Sequence, residues 1–109
     1  MEVLGHIGQV RTITAAYTVQ PDDRIILLSS PGDFAVTLPL ASTWTGKWLS
    51  FYYSKVAAAE DDVTVTAAGS DMICSEAVVA STVVLTAEGN HLQIFSDGYF
   101  WYTISKANT

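Results

Sequence analysis

The side chains that could do chemistry in this chain are few and scattered. His6 and His91 are the only histidines, and Cys74 is the only cysteine. Neither a His-x-His nor a His-Glu-x-x-His spacing occurs, so the pattern that holds a metal on one strand or helix face is missing. A serine nucleophile would need a G-x-S-x-G elbow or a comparable setting, and none is present; nor is there a glycine-rich phosphate loop. His91 follows the turn signal Gly89-Asn90 and reads as a solvent-exposed loop histidine. Cys74 has no evident base to activate it and reads as a small buried core thiol. Glu60, Asp61 and Asp62 offer oxygen ligands for Ca²⁺, but they lack the alternating spacing of a calcium loop and read as a solvated acidic loop. The expectation is a protein that is not an enzyme, with no catalytic residue, no cofactor and no metal.

The aromatic residues could do a different kind of work. Trp44, Trp48, Tyr52, Tyr99 and Trp101 could form a stacking platform for a carbohydrate, and packing between subunits accounts for the same rings without a ligand. Trp44 lies between Thr43 and Thr45 in a connection and is expected at an exposed loop tip, which makes it a candidate surface contact. With one cysteine, no intrachain disulfide can form.

Charge excludes one class of partner. The formal net charge is −6, and between Lys55 and Lys106 there is no Lys or Arg, while Glu60, Asp61, Asp62, Asp71, Glu76, Glu88 and Asp97 are acidic. Affinity for nucleic acid rests on cationic neutralisation of phosphate, so direct binding to it is not expected. Charged residues make up 15% of the chain, below the roughly 25% of ordinary soluble domains. No apolar run approaches the roughly 18 residues of a membrane span, and Met1-Glu2-Val3 lacks the basic start of a signal peptide. A chain this apolar, without a membrane segment, is expected to hide surface in subunit contacts.

The elements that must carry these residues read as strand after strand. Arg11–Val19 is β-prone, and Gln20-Pro21-Asp22-Asp23 turns the chain. Arg24–Ser29 holds Ile25, Ile26, Leu27 and Leu28 without alternation, the pattern of a strand buried on both faces. Phe34–Leu38 alternates and is ended by Pro39. Lys47–Ser54 is an aromatic strand, Val56–Asp62 a loop that could hold one helical turn, and Val63–Ala67 alternates Val with Thr. Met72–Cys74, Val78–Thr86 and Leu92–Ser96 follow. Asp97-Gly98 then predicts a two-residue type I′ hairpin turn into Tyr99, Phe100, Trp101 and Tyr102, whose rings point to both faces of one strand. Nowhere do apolar residues recur at helical spacing over three turns. A faint echo links Val63–Gly69 (VTVTAAG) to Val83–Gly89 (VVLTAEG); it reads as strands that end alike, the other reading being hairpin units repeated about an axis. The predicted fold is all-β, a single-domain antiparallel β-sandwich or β-prism-like module.

The order Tyr17-Thr18-Val19, Asp22 or Asp23, Val36-Thr37-Leu38-Pro39, Gly46, Val63-Thr64-Val65, Gly69-Ser70-Asp71-Met72-Ile73 and Ser96-Asp97-Gly98-Tyr99-Phe100-Trp101 resembles a β-rich module of bacteriophage virion proteins. The likeness runs from Tyr17 to Ile104, with a departure at Met72-Ile73-Cys74-Ser75, where such modules more often place a glycine. Modules of this kind occur in tail fibres, baseplate appendages, head fibres and capsid decoration proteins, generally as homotrimers. The resemblance therefore implies a virion structural protein and no catalytic residue.

On that reading, residues 1–16 form an N-terminal arm or edge strand, 17–105 the trimerising module, and 106–109 a short tail. Because the module stands almost alone in a chain that starts with Met1, the expectation is a capsid decoration or cement protein, in the virion and on the head surface, whose partners are its own copies and the major capsid protein. A tail fibre or baseplate appendage, and a carbohydrate-binding module recognising a cell-surface glycan, are the alternatives. Ile26, Leu28, Trp48, Tyr52, Phe100, Trp101 and Tyr102 are the candidates for trimer and core packing, Asp97 and Gly98 for the structural turn, and Val3, Leu4, Ile7 and Trp44 for capsid contact.

Overall fold

The structure, a computed structural model, describes residues 10–29, 32–54, 62–75 and 78–107. Val3, Leu4, His6, Ile7, Glu60 and Asp61 lie outside the described residues, and with them the proposed anchoring arm, most of the acidic loop and the helical turn expected there.

The described residues form the strands β1 (Val10–Ile13), β2 (Tyr17–Thr18), β3 (Ile25–Leu28), β4 (Phe34–Thr37), β5 (Trp48–Tyr53), β6 (Val63–Thr66), β7 (Ile73–Ser75), β8 (Val78–Ala80), β9 (Thr82–Leu85), β10 (His91–Ser96) and β11 (Trp101–Ala107). One turn of 3-10 helix, Ala41–Thr43, interrupts them. A seven-stranded sheet has the order β1, β3, β5, β10, β11, β7, β8, and a four-stranded sheet the order β2, β4, β6, β9. The fold is all-β and forms one domain.

The chain crosses from sheet to sheet at almost every connection. β1, β3 and β5 pair in parallel in one sheet while β2, β4 and β6 pair in parallel in the other, so residues 10–66 wind through three turns of a two-sheet coil. Parallel neighbours need a crossover between them; here the intervening strand in the opposite sheet is that crossover. The coil is then capped by reversals. β9 adds antiparallel to β6, and β10 antiparallel to β5. β11 follows β10 through a hairpin, β7 lies parallel to β11, and β8 closes the sheet antiparallel to β7.

Two expectations are corrected here, and the reading of the echo is kept. The sheets are mixed rather than antiparallel, because alternation along a strand is the same in both kinds of pairing and only the path of the connections separates them. The run Val78–Thr86 is two strands, not one: it bends at Ser81, and β8 and β9 belong to different sheets. The echoing segments are antiparallel neighbours, with Val63 opposite Leu85 and Val65 opposite Val83. Units repeated about an axis would run in the same direction, so the echo reflects strands that end alike, each at a left-handed glycine (Gly69, φ 56°; Gly89, φ 88°).

The core lies between the sheets. Ile26, Leu28, Leu49, Phe51, Leu92, Ile94 and Trp101 point inward from the larger sheet, and Val36, Val63, Val65 and Leu85 from the smaller; all are fully buried. Each such aliphatic side chain stabilises the fold by about 1.5–3 kcal/mol relative to exposure. β3 is covered less evenly than its unbroken apolar run suggested. Ile26 and Leu28 are enclosed, whereas Ile25 and Leu27, on the other face, are only half-buried.

Candidate functional site

The turn between β10 and β11 differs from the predicted hairpin. Ser96 pairs with Trp101, so four residues, Asp97 to Phe100, make the connection. Asp97 Oδ1 accepts hydrogen bonds from the N–H groups of Tyr99 and Phe100, both at 2.9 Å, and Gly98 supplies the left-handed backbone at φ 100°. These N–H bonds, from Phe100 first and then Tyr99, hold the Asp97 carboxyl below the usual carboxylate range. The carboxylate thus does the work of a second left-handed residue, which is how a four-residue loop replaces the two-residue one. Tyr99 and Phe100 consequently belong to the turn and are exposed (78% and 40%), and only Trp101 and Tyr102 enter the strand.

The strand then sends Trp101 inward and Tyr102 outward. Trp101 is completely buried and stands 5.9 Å from Trp44, ring to ring, at 51°. Among the described residues its indole N–H has no hydrogen-bond partner, so Trp101 acts here through volume rather than polarity. Trp44 is only 2% exposed, which overturns its expected place at a loop tip. The 3-10 turn folds the ring back between the sheets, and the cations of Arg24 and Lys47 each lie 5.2 Å from its centroid. The connection is pinned from three directions: Asp71 Oδ2 accepts from the Ala41 N–H, Ser96 Oγ donates to the Ala41 carbonyl, and the Gly46 N–H donates to the Ser96 carbonyl. Trp44 is therefore unavailable for capsid contact, and with Trp101 also enclosed the five rings proposed as a sugar platform do not share a surface.

A second polar knot ties the first coil to the next. Asp23 is buried; it accepts from Arg11 Nε and the Tyr17 hydroxyl, both at 2.6 Å, and from the Gln20 N–H at 2.8 Å. Burial alone would raise its carboxyl, but the bonds from Tyr17, Gln20 and Arg11 outweigh that and hold it below the ordinary value. Burial first, then the bond to Asp23, pushes the Tyr17 hydroxyl up to about 12. The knot joins β1, β2 and the turn into β3, and every partner in it is engaged. It is a structural staple rather than a reactive site.

Among the described residues, groups that could react are sparse. His91 opens β10 instead of occupying a loop, and its Nε2 lies 3.0 Å from Ser105 Oγ. A nucleophile and base are thus within reach of each other, but the residues paired with His91, Tyr52 and Ala107, and Gln93 two positions along the same strand, supply no carboxylate to orient the imidazole. Cys74 is half-buried on the outer face of β7, not sealed in the core, since its neighbours Ile73 and Ser75 take the inward positions. Among the described residues no group of three or more His, Cys, Asp or Glu side chains could hold a metal. Asp62, the described member of the acidic run, is exposed, and its N–H donates to Asp33 Oδ1.

What the fold does assemble is a face. Strand register places directly paired residues on the same side, and three rows cross the outer surface of the seven-stranded sheet. The first is Val10, Ile25, Ser50, Gln93 and Ser105. The second is Thr12, Leu27, Tyr52, His91 and Ala107. The third is Trp48, Phe95, Tyr102, Cys74 and Val79. None of these fifteen positions is Asp, Glu, Lys or Arg, on a chain of net charge −6. In the third row Phe95 and Tyr102 stack at 5.5 Å, and Phe100 meets Tyr102 edge-on at 6.5 Å. Burial and the nearby Asp97 push the Tyr102 hydroxyl up.

Of the predicted packing residues, then, Ile26, Leu28 and Trp101 lie in the core, whereas Trp48 (37% exposed), Tyr52 (47%), Phe100 and Tyr102 lie on or beside this outer face. Phe95, Cys74, Val79 and Leu27 join them without having been singled out for it, and only strand register could have shown that they do. The other sheet is different in kind. Its outer face carries a ladder of Thr18, Thr37, Thr66 and Thr82, with Ala35, Thr64 and Val84 beside it. Comparison of the chain with protein-family models, with curated proteins and with solved structures finds no match in any of the three.

Proposed function

We propose that this chain is a non-enzymatic structural protein of a bacteriophage particle, which acts by assembling with its own copies as a homotrimer and seating on the capsid surface against the major capsid protein. The observation that carries the proposal is the uncharged, aromatic outer face of the seven-stranded sheet. Monomeric proteins rarely leave a large contiguous apolar patch in water, and such patches mark interaction surfaces. The resemblance of the Val36-Thr37-Leu38-Pro39 strand end and the Ser96-Asp97-Gly98 turn to phage virion modules supplies the setting.

The mechanism is mechanical. Each trimer bridges neighbouring capsid subunits and so adds buried area that opposes internal pressure from packaged DNA. Three identical contacts held together convert a modest single interface into avidity. The test is the number of copies per purified particle, read by quantitative gel or mass spectrometry. Hundreds of copies support a place on the capsid surface. A few to a few dozen would move the protein to a tail fibre or baseplate appendage, and absence from particles would overturn the proposal.

A further inference from the structure

We infer that the outer face of the seven-stranded sheet is where copies of this chain meet, with the row Trp48, Phe95, Tyr102, Cys74 and Val79 at the centre of the contact. The inference rests on the self-assembly proposed above and names its surface. Charge is the first argument. In a symmetric assembly identical or neighbouring patches of one sequence face each other, so like charges are brought together wherever the patch carries any. At net −6 that repulsion penalises most possible self-contacts. At this face no paired outward position carries a formal charge, and among the described residues the one carboxylate beside the central row is Asp97, next to Tyr102. The threonine face of the smaller sheet is as free of charge, so charge narrows the choice to the two sheet faces and composition decides between them. A partner of different sequence and opposite charge would find, among the described residues, only Asp97 beside this row to pair with.

Size is the second argument. Fifteen outward positions, each taking about 4.8 Å between strands and about 6.6 Å along a strand, give a plane of roughly 475 Å², which the relief of the aromatic side chains raises toward the roughly 800 Å² that each partner buries in a stable complex. Composition is the third. The centre of a protein interface is enriched in Trp, Tyr and Phe and depleted in charge, as this row is. The threonine face of the smaller sheet has no ring and is the surface left outward.

Geometry fits a three-fold arrangement. The row spans five strands, about 24 Å, and three such strips closed into a triangle stand about 7 Å from the axis, somewhat more than the roughly 5 Å half-spacing of ordinary packed sheets. Large rings fill that difference. β11 is the middle strand of the five, so Tyr102 comes nearest the axis, and Val79 at the β8 edge approaches Trp48 of the next copy.

The test is the solution mass of the wild type and three variants at matched concentration, each checked for folding by near-UV circular dichroism. Val79→Glu and Trp48→Glu place a charge on the inferred face at exposed positions that the core does not use. Thr82→Glu places the same charge on the opposite sheet. The inference expects trimeric wild type and Thr82→Glu, with a threefold fall in mass for whichever of Val79→Glu and Trp48→Glu is folded. Should both folded face variants remain trimeric, or should Thr82→Glu alone dissociate, the face is wrong while self-assembly stands. A wild-type dimer broken by the face variants would replace the triangle by two sheets packed face to face. A monomeric wild type would overturn the inference together with the assembly it rests on.

Discussion

Replacing Gly98 tests the turn on which the placement of the aromatic residues depends. Gly98 has φ 100°, and a Cβ built on it would stand 2.9 Å from Thr45 Oγ1. Two costs follow, of different kinds. Holding an L-residue in that region of backbone space costs about 1–3 kcal/mol. The contact with Thr45 costs less, because that side chain is exposed and can leave its rotamer for about 0.5–1.5 kcal/mol. Gly98→Ala should therefore lose about 1.5–4.5 kcal/mol and Gly98→Val more, while Gly98→Asn should lose least, since Asn tolerates left-handed backbone. For a domain of this size a loss of 2 kcal/mol lowers Tm by about 8–16 °C. The assay is thermal unfolding followed by circular dichroism at one fixed protein concentration, because the Tm of any protein that assembles depends on concentration. Thr45→Ala separates the two costs. It should recover only the steric part of the Gly98→Ala loss. An unchanged Tm in Gly98→Val, or complete recovery in the double variant, would refute the backbone argument.

Other perturbations follow from the same contacts. Asp23→Asn leaves Arg11 and Tyr17 without their carboxylate and should cost about 1.5–3 kcal/mol in urea unfolding. The Asp23 carboxyl is held below its ordinary value, so its contribution is present above the ordinary aspartate range and lost as pH falls through the depressed one; the variant should flatten the acid limb of a stability–pH curve. Tyr17 works in the opposite sense. Its hydroxyl is raised from 10.0 to about 12, so its contribution is complete below the first value and lost between the two, and Tyr17→Phe should remove that alkaline loss. Trp44→Ala empties a site between the sheets and should cost about 3–5 kcal/mol. A loss under 1 kcal/mol there would return Trp44 to an exposed position.

The strands were legible because β-branched and aromatic runs alternate between turn residues, and the structure keeps Val63–Thr66, Phe34–Thr37 and His91–Ser96 close to where the sequence puts them. Direction was not legible. Val78 to Leu85 has one uninterrupted β-prone composition, and nothing in it announces that Ser81 carries the chain to another sheet. Trp44 misled for a related reason: threonines on either side describe local polarity, whereas its burial is fixed by Asp71 and Ser96, far away in sequence. The outer face was half legible. Trp48, Tyr52 and Tyr102 stand out by their rings, but their union with Phe95, Cys74 and Val79 depends on register across five strands, including the shift between Gln93 and Ile94.

The central claim, assembly through a face the protomer leaves uncovered, is tested most directly by the solution mass of the purified protein, measured by light scattering after size-exclusion chromatography over a range of concentrations. The account predicts three times the 11.7 kDa of one chain. A mass of one chain at every concentration would contradict it, since Trp48, Tyr52 and Tyr102 would then face water with no copy to cover them.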